Sequence, residues 1–207
     1  HLLHYASEDQ AGNREISRTT SVRIDMTPPQ TDYEQSGLAG DSGWFHSDVT
    51  VTLSVSETTS GLDRSWYRVD GGAWKQGNAF PVSGQGEHLV EFYSRDLAGN
   101  VEPVQQGTVA IDSAAPLPPI NIQSDPNTWT RTNAFTVTWT SLADISGIAG
   151  AYYKLNAEPL SATDGVFVPA VGDVLTNVTV PDEGSHNLYL WLRDQAGNVN
   201  HLTRNIK

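Results

Sequence analysis

Hydrophobic and polar residues alternate with a period of two in many short stretches of this chain. Residues 49–53 are Val-Thr-Val-Thr-Leu, and residues 135–139 are Phe-Thr-Val-Thr-Trp. Such alternation places apolar side chains on one face of a β-strand and polar side chains on the other. No window of about 11 residues carries the apolar spacing of an amphipathic helix. The pattern therefore predicts an all-β protein.

One thirteen-residue pattern occurs three times, and each copy ends in Asp-x-Ala-Gly-Asn. The copies occupy residues 1–13, 88–100 and 186–198. Their starts lie roughly 90 to 100 residues apart, which is the length of one β-sandwich domain. Two further segments keep the same spacing: Ile-Asp at 24–25 matches 111–112, and Ser-Gly at 60–61 matches 146–147. Matches in a constant order indicate a tandem repeat.

The Asp-x-Ala-Gly-Asn hairpin, the Ser-Gly loop and the Asp…Pro linker resemble those of bacterial immunoglobulin-like repeats, which are close to fibronectin type III domains in architecture. The resemblance covers essentially the whole chain and implies tandem antiparallel β-sandwiches joined by short proline-containing linkers. It implies three segments: an F–G hairpin of a truncated repeat with its linker (1–29, the N-terminal hairpin), a complete sandwich (30–116, the second repeat) and another (117–207, the third repeat). In this frame strand F precedes the Asp-x-Ala-Gly-Asn turn and strand G follows it.

The recurring turn has the features of a structural signature. Alternation along strand F places its aspartate on the inward side, where a carboxylate needs hydrogen-bond donors. Backbone N–H groups of the turn are the nearest donors, and glycine and asparagine supply the positive φ of a tight hairpin. The signature residues are Asp9, Gly12, Asn13, Asp96, Gly99, Asn100, Asp194, Gly197 and Asn198.

Charge and composition exclude several classes of partner. The formal net charge is −12, with 24 acidic residues against 12 lysines and arginines. Because no basic cluster occurs, we predict no nucleic-acid partner. The absence of cysteine excludes disulfides and thiolate metal sites. No apolar run is long enough for a transmembrane helix, so we predict no membrane-spanning segment.

The sequence carries no catalytic constellation. None of the six histidines lies in a His-Glu-x-x-His motif. There is no Gly-x-Ser-x-Gly elbow and no phosphate-binding loop. The glycines at 71–72 lie between two strand patterns and indicate a hairpin turn. We therefore predict a protein that is not an enzyme and has no organic cofactor.

Acidic residues at the linker end of each sandwich make Ca²⁺ a candidate ligand. In a sandwich the B–C loop, the F–G turn and the incoming linker lie at the same end, so their carboxylates come together. Ca²⁺ takes six to eight oxygen ligands, carboxylates among them. The alternative is that these aspartates only cap turns. The residues concerned are Asp25, Glu57, Asp63 and Asp96 at the linker end of the second repeat, and Asp112, Asp144 and Asp194 at the linker end of the third.

Aromatic and cationic residues alternate on the predicted outer faces of strands C and F. Such a face suits stacking on a glycan or on a protein partner. The alternative is that these side chains form cross-strand and cation–π pairs that stabilise one sheet. The residues are Trp66, Arg68, Tyr93 and Arg95 in the second repeat, and Tyr152, Lys154, Trp191 and Arg193 in the third.

These observations favour non-catalytic spacer repeats of a large secreted or cell-surface bacterial protein, an adhesin or an extracellular enzyme. Their partners would be neighbouring repeats of the same protein. A second hypothesis is a self-assembling extracellular filament in which residues 1–28 complete a sandwich in a neighbouring chain, because an isolated hairpin with an apolar face is marginal in water. A third is a carbohydrate-binding accessory module, which rests on the outward aromatic residues.

Overall fold

The computed structural model describes residues 1–169, 172–202 and 204–206. All regular elements in these ranges are β-strands, which confirms the predicted all-β class of tandem antiparallel sandwiches. Among these residues there is no helix of the length and apolarity that a bilayer crossing requires.

The strands alternate with short turns along the whole chain. They are β1 (Leu2–Tyr5), β2 (Arg18–Ser21), β3 (Gln30–Ser36), β4 (Trp44–Phe45), β5 (Val49–Ser56), β6 (Leu62–Val69), β7 (Lys75–Gln76), β8 (Ala79–Val82), β9 (Gly86–Asp96), β10 (Gln105–Ile111), β11 (Ile120–Asp125), β12 (Phe135–Thr140), β13 (Ile148–Leu155), β14 (Val166–Pro169), β15 (Val174–Val178), β16 (Leu188–Asp194) and β17 (Arg204–Ile206). The sheets have the orders β1-β2, β3-β5-β8, β4-β10-β9-β6-β7, β11-β12-β15 and β14-β13-β16-β17.

The chain divides into two compact units, and four of the five boundaries between them fall inside strands. Unit 1 consists of residues 1–34, 52–78 and 91–106, and unit 2 of residues 35–51, 79–90 and 107–207. The predicted domain boundaries after residues 29 and 116 follow the sequence repeat and stay predictions.

Unit 1 begins with the N-terminal hairpin. Strands β1 and β2 pair antiparallel from Leu2↔Ser21 to Tyr5↔Arg18. Residues 1–24 are all exposed. In strand β9, by contrast, the apolar side chain of Phe92 and the hydroxyl of Ser94 are buried. Alternation in strand F thus produces a buried face in the second repeat and a bare face in the hairpin.

Unit 2 contains a core that two facing sheets of the third repeat enclose. The predicted core face of strand F is confirmed, since Leu188, Leu190 and Leu192 are buried in β16. They pack with Val137 and Trp139 of β12, the strand whose period-two pattern predicted them. The register of β13 against β16 runs from Leu155↔Leu188 to Ile148↔Asp194, with one irregularity near Gly150.

Unit 2 also includes the segment that enters the third repeat. Strands β4 and β10 pair in parallel, with Trp44 opposite Ala110 and Phe45 opposite Ile111. The next residue, Asp112, donates its backbone N–H to the carbonyl of Phe45 at 2.8 Å. The linker aspartate therefore has a fixed backbone position before the chain continues to β11.

Candidate functional site

The Asp-x-Ala-Gly-Asn turn has the same hydrogen bonds in all three copies. In the second repeat Asp96 accepts from the backbone N–H of Asn100 at 2.8 Å and from its side-chain amide at 2.7 Å. The corresponding distances are 2.7 and 2.9 Å for Asp194 and 2.9 and 2.7 Å for Asp9. Only the glycines of the turn, Gly12, Gly99 and Gly197, have positive φ, so the expectation of positive φ at the asparagines is wrong. The asparagines act through their side chains.

The same asparagine amide also binds the incoming linker. Asn100 Nδ2 donates to the carbonyl oxygen of Asp25 at 3.2 Å, and Asn198 Nδ2 donates to that of Asp112 at 3.0 Å. We call this bond the linker contact. Sequence analysis missed it, because the two residues of the contact lie 75 residues apart in the second repeat and 86 in the third, so no constant spacing marked the pair. In the described residues Asn13 makes the turn bonds without a linker contact.

The carboxylate of each linker aspartate accepts two backbone N–H groups. Asp25 accepts from Thr27 and Ser60, both at 3.1 Å. Asp112 accepts from Ala114 at 3.1 Å and from Ser146 at 3.2 Å. Ser60 and Ser146 belong to the Ser-Gly loop. The recurring linker, loop and turn motifs therefore meet at one point in each repeat.

Three carboxylates converge at this point in both repeats. Asp112, Asp144 and Asp194 form the unit 2 cluster, whose potential ligand atoms lie within 4.8 Å of one another. The equivalent unit 1 cluster consists of Asp25, Glu57 and Asp96. Of the residues predicted as calcium ligands, the structure brings together all but Asp63.

Asp63 corrects the predicted ligand set. Its carboxylate pairs with the guanidinium of Arg95 at 2.5 Å and with that of Arg64 at 3.3 Å. The bond from Arg95, with that from Arg64, lowers the pKa of Asp63 against a smaller effect of burial. Asp63 lies on strand β6, and its carboxylate is held by these two guanidinium groups and is not part of the cluster.

The unit 2 cluster is electrostatically unfavourable without a cation. Asp112 and Asp194 are almost completely buried. Burial, followed by repulsion from Asp112, raises the pKa of Asp144, and burial raises the pKa of Asp194 with smaller contributions from Asp112 and Asp144. In the described part of the chain no lysine or arginine forms an ion pair with these three side chains. Buried charge of one sign requires compensation.

The unit 1 cluster is electrostatically less unfavourable than the unit 2 cluster. Burial raises the pKa of Asp96, but hydrogen bonds from Asn100, Gly99 and Ala98 together outweigh it, so that the pKa is lowered. The hydroxyl oxygen of Ser60 is buried there without a hydrogen-bond partner, while its backbone N–H donates to Asp25 and Glu57. An oxygen with free lone pairs therefore accompanies the three carboxylates.

The raised pKa values predict an inverted pH dependence for the unit 2 cluster in calcium-free buffer. Because Asp144 and Asp194 hold their protons more tightly when folded, their contribution to stability is complete below pH 3.8 and falls as pH rises through the folded pKa. Replacing Asp144 by Asn keeps an acceptor for Gly147. It should raise the free energy of unfolding of the third repeat at pH 7, because it removes a carboxylate whose charged form is disfavoured in the folded state.

Site-resolved hydrogen exchange at Leu192 measures this change. The control is Asp164→Asn, because the backbone N–H of Leu160 and the ammonium of Lys154 lower the pKa of Asp164. That variant should lose stability at neutral pH, and its effect should vanish on acidification. A destabilised Asp144→Asn protein at pH 7 would contradict the electrostatic account.

The aromatic face of unit 1 forms internal pairs. Trp66 and Tyr93 stack with their centroids 5.1 Å apart, and Trp74 meets Tyr93 edge-on at 4.9 Å. The guanidinium of Arg95 lies 5.3 Å from the Trp66 ring, and that of Arg68 lies 4.7 Å from the Trp74 ring. These contacts fit the alternative that the side chains form cross-strand and cation–π pairs within one sheet. The rings are half-buried, and binding of a glycan or a protein to this face stays a prediction.

The third repeat corrects the predicted exposure of Trp191. Its side chain is 0% exposed, stacks on Tyr152 at 5.5 Å and donates its indole N–H to the carbonyl of Ala162 at 2.7 Å. A Cβ at Gly165 would lie within 3 Å of this indole, so glycine is needed there. The loop after β13 covers the outer face of the sheet, which alternation alone does not reveal. Tyr152 is buried as well.

The two cations predicted on this face also have partners. Lys154 pairs with Asp164 at 2.7 Å. Arg193 pairs with Asp41 and lies 5.5 Å from the Phe167 ring. Since both acidic partners, Asp164 and Asp41, come from loops, sequence spacing gave no signal for them.

Two residues that sequence analysis missed hold the turn of the third repeat. The carbonyl of Ala196 accepts the backbone N–H of Asp41 at 2.8 Å, and it lies 2.7 Å from Nε2 of His46. Both residues lie in the loop around β4. Neither residue belongs to the recurring linker, loop and turn motifs, so the repeat gave no signal for them.

Comparisons with known proteins give distant likenesses. No family model and no curated protein matches the chain. Among solved structures, the FN1–FN3 domains of chicken CNTN1 are 12% identical, with 99% of this chain and 74% of that chain covered at a TM-score of 0.45. Fibronectin(III)-like modules of Clostridium thermocellum CbhA are 10% identical, with 85% and 91% covered at 0.40. A titin segment is 16% identical, with 95% and 70% covered at 0.46.

Proposed function

We propose that the chain consists of non-catalytic spacer repeats of a large secreted or cell-surface bacterial protein. The observation that carries this proposal is the linker contact, which recurs with the same donor and acceptor at Asp25 and Asp112. In a spacer that holds consecutive domains in place, the linker between them needs a defined conformation. Hydrogen bonds to both the backbone and the side chain of the linker aspartate supply that definition.

Replacing Asn198 by Ala tests the proposal. The variant loses the side-chain amide bonds to the Asp112 carbonyl and to Asp194 Oδ2, and we expect the free energy of unfolding of the third repeat to fall by about 1 to 2 kcal/mol. Hydrogen exchange at β16 measures the change. Asn13→Ala is the matched control, because Asn13 makes the same turn and should leave β16 unchanged. Equal stability of Asn198→Ala and wild type would refute a structural role for the linker contact.

We further propose that the carboxylate clusters bind Ca²⁺. Three carboxylates with ligand atoms within 4.8 Å of one another suit a hard divalent cation. Support comes from the buried like charges at Asp112 and Asp194 and from the unpartnered Ser60 hydroxyl. A bound cation would remove the repulsion that raises the pKa of Asp144. It would thereby stabilise the point where linker and turn meet.

Calcium titration tests this second proposal. At pH 7, Ca²⁺ at one hundred times its Kd should raise the free energy of unfolding by about 2.7 kcal/mol. The Asp144→Asn variant, which is more stable than wild type without calcium, should gain far less. Magnesium serves as a second control, since it requires near-ideal octahedral geometry. Identical exchange at Leu192 in EDTA and in millimolar Ca²⁺ would reject the proposal.

A further inference from the structure

The peptide groups of Asp112 are hydrogen-bonded in both directions. The N–H of Asp112 donates to the carbonyl of Phe45 at 2.8 Å, and its C=O accepts the side-chain amide of Asn198 at 3.0 Å. Phe45 lies in strand β4 of the second repeat, whereas Asn198 lies in the turn of the third. The linker residue is therefore held by two elements that come from different repeats.

The same two elements also bind each other. The carbonyl of Ala196 accepts the backbone N–H of Asp41 at 2.8 Å and lies 2.7 Å from His46 Nε2. Because a carbonyl oxygen only accepts, His46 Nε2 carries the proton of this second bond. His46 directly follows Phe45, and Ala196 precedes Asn198 by two residues. The bonds thus close a ring within unit 2, the linker ring, which runs through Phe45, Asp112, Asn198, Ala196 and His46.

Gly40 is required for steric reasons where the ring closes. A Cβ at this position would lie 2.5 Å from His46 Nε2 and 2.6 Å from the carbonyl oxygen of Ala196. Both distances are shorter than van der Waals contact, so a side chain at position 40 displaces the imidazole or the turn. The φ of Gly40 lies outside the left-handed region, so that alanine acts there through this clash and not through backbone strain.

We propose that the linker ring opens and closes as a unit, so that residues 38–46 and the turn of the third repeat fix the linker together, with His46 and Gly40 as positioning residues. Release of one bond frees atoms that the other bonds need in place, which makes the bonds cooperative. The inference deepens the spacer proposal and rests on it, because it names what defines the linker conformation from the side of the preceding repeat.

Hydrogen exchange at the amide of Asp112 tests the inference in the full 207-residue chain. His46→Ala should lower the protection of this amide about fivefold, as expected for the loss of one hydrogen bond. Gly40→Ala should lower it at least as much. His46→Gln keeps an N–H donor for Ala196 and should stay within about twofold of wild type. Leu38→Ala is the control, because this side chain belongs to the same segment and is 64% exposed.

Exchange at Leu192 separates positioning from general stability. This amide lies in the core strand β16 and should keep its wild-type protection in His46→Ala, since the ring opens without unfolding the sandwich. A loss of protection by the same factor at Leu192 and at Asp112 would mean that His46 only stabilises the fold, and would overturn the inference.

A double-mutant cycle tests whether the bonds act together. If the ring opens as a unit, His46→Ala combined with Asn198→Ala lowers the protection of Asp112 little more than the larger single effect, whereas independent bonds give the product of both effects. An unprotected Asp112 amide in the wild-type chain would overturn the spacer's defined linker together with the ring. A protected amide that is insensitive to His46→Ala and Gly40→Ala, or two effects that multiply, would overturn the ring alone.

Discussion

Replacing Trp191 by Ala should reduce the free energy of unfolding of the third repeat by about 3 to 5 kcal/mol. The indole is fully buried, stacks on Tyr152 and donates to the carbonyl of Ala162, so alanine leaves a cavity and an unpaired acceptor. Hydrogen exchange at Leu190 and Leu192 reports this value, because both amides lie in the core strand β16.

Trp129→Ala is the control for this substitution. Trp129 belongs to the same repeat and is 85% exposed, so its removal should change stability by less than about 0.5 kcal/mol. A small effect of Trp191→Ala would mean that the indole is a surface ligand-binding group, as the alternation of strand F predicted. A large effect assigns it to the structure of the sheet.

Replacing Glu102 by Ala should destabilise the second repeat by about 3 kcal/mol or more. The buried carboxylate accepts the backbone N–H groups of Thr31 and Ser94 together with the Thr31 hydroxyl. Removing it takes the acceptor from two buried backbone N–H groups, while the Thr31 hydroxyl keeps the Ser94 hydroxyl as a partner, and each buried donor left unpaired costs about 1 to 3 kcal/mol. Exchange at the amides of Phe92 and Ser94 measures the change.

Glu15→Ala is a matched control for Glu102→Ala. Glu15 makes the same bond to the backbone N–H of Ser7, but it is exposed, and water can replace it as an acceptor. Its removal should change the stability of the second repeat by less than about 0.5 kcal/mol. If both variants lost a comparable amount of stability, the buried contact between Glu102 and Thr31 would not be the cause of the destabilisation in Glu102→Ala.

Alternation and repetition were sufficient to predict the strands and the buried face of strand F. Both predictions depend only on the local geometry of a strand. Val137 and Trp139 in β12 and Leu190 in β16 are examples, since all three are buried as their alternation predicted. The resemblance to immunoglobulin-like repeats also placed Asp25 and Asp96, like Asp112 and Asp194, at one end of their sandwiches, because linker, loop and turn lie together in such a fold.

The remaining features depend on loops whose paths the sequence does not encode in a periodic way. The loop that covers Trp191 has no marker beyond Gly165, so alternation assigned that side chain to solvent. Asp63 was placed with the calcium ligands because it follows the Ser-Gly loop. In the structure its carboxylate pairs with the guanidinium of Arg95 instead. Asp41 pairs with Arg193, 152 residues away, and no spacing rule connects the two.

Native-state hydrogen exchange of the linker tests the account most directly. Asp112 accepts the backbone N–H groups of Ala114 and Ser146, and Asn198 holds the Asp112 carbonyl. We predict that both amides are protected in the wild-type chain, lose protection in Asn198→Ala and remain protected in Asn13→Ala. Unprotected exchange of Ala114 and Ser146 in the wild-type chain, or protection that survives Asn198→Ala, would contradict a linker held by the recurring turn.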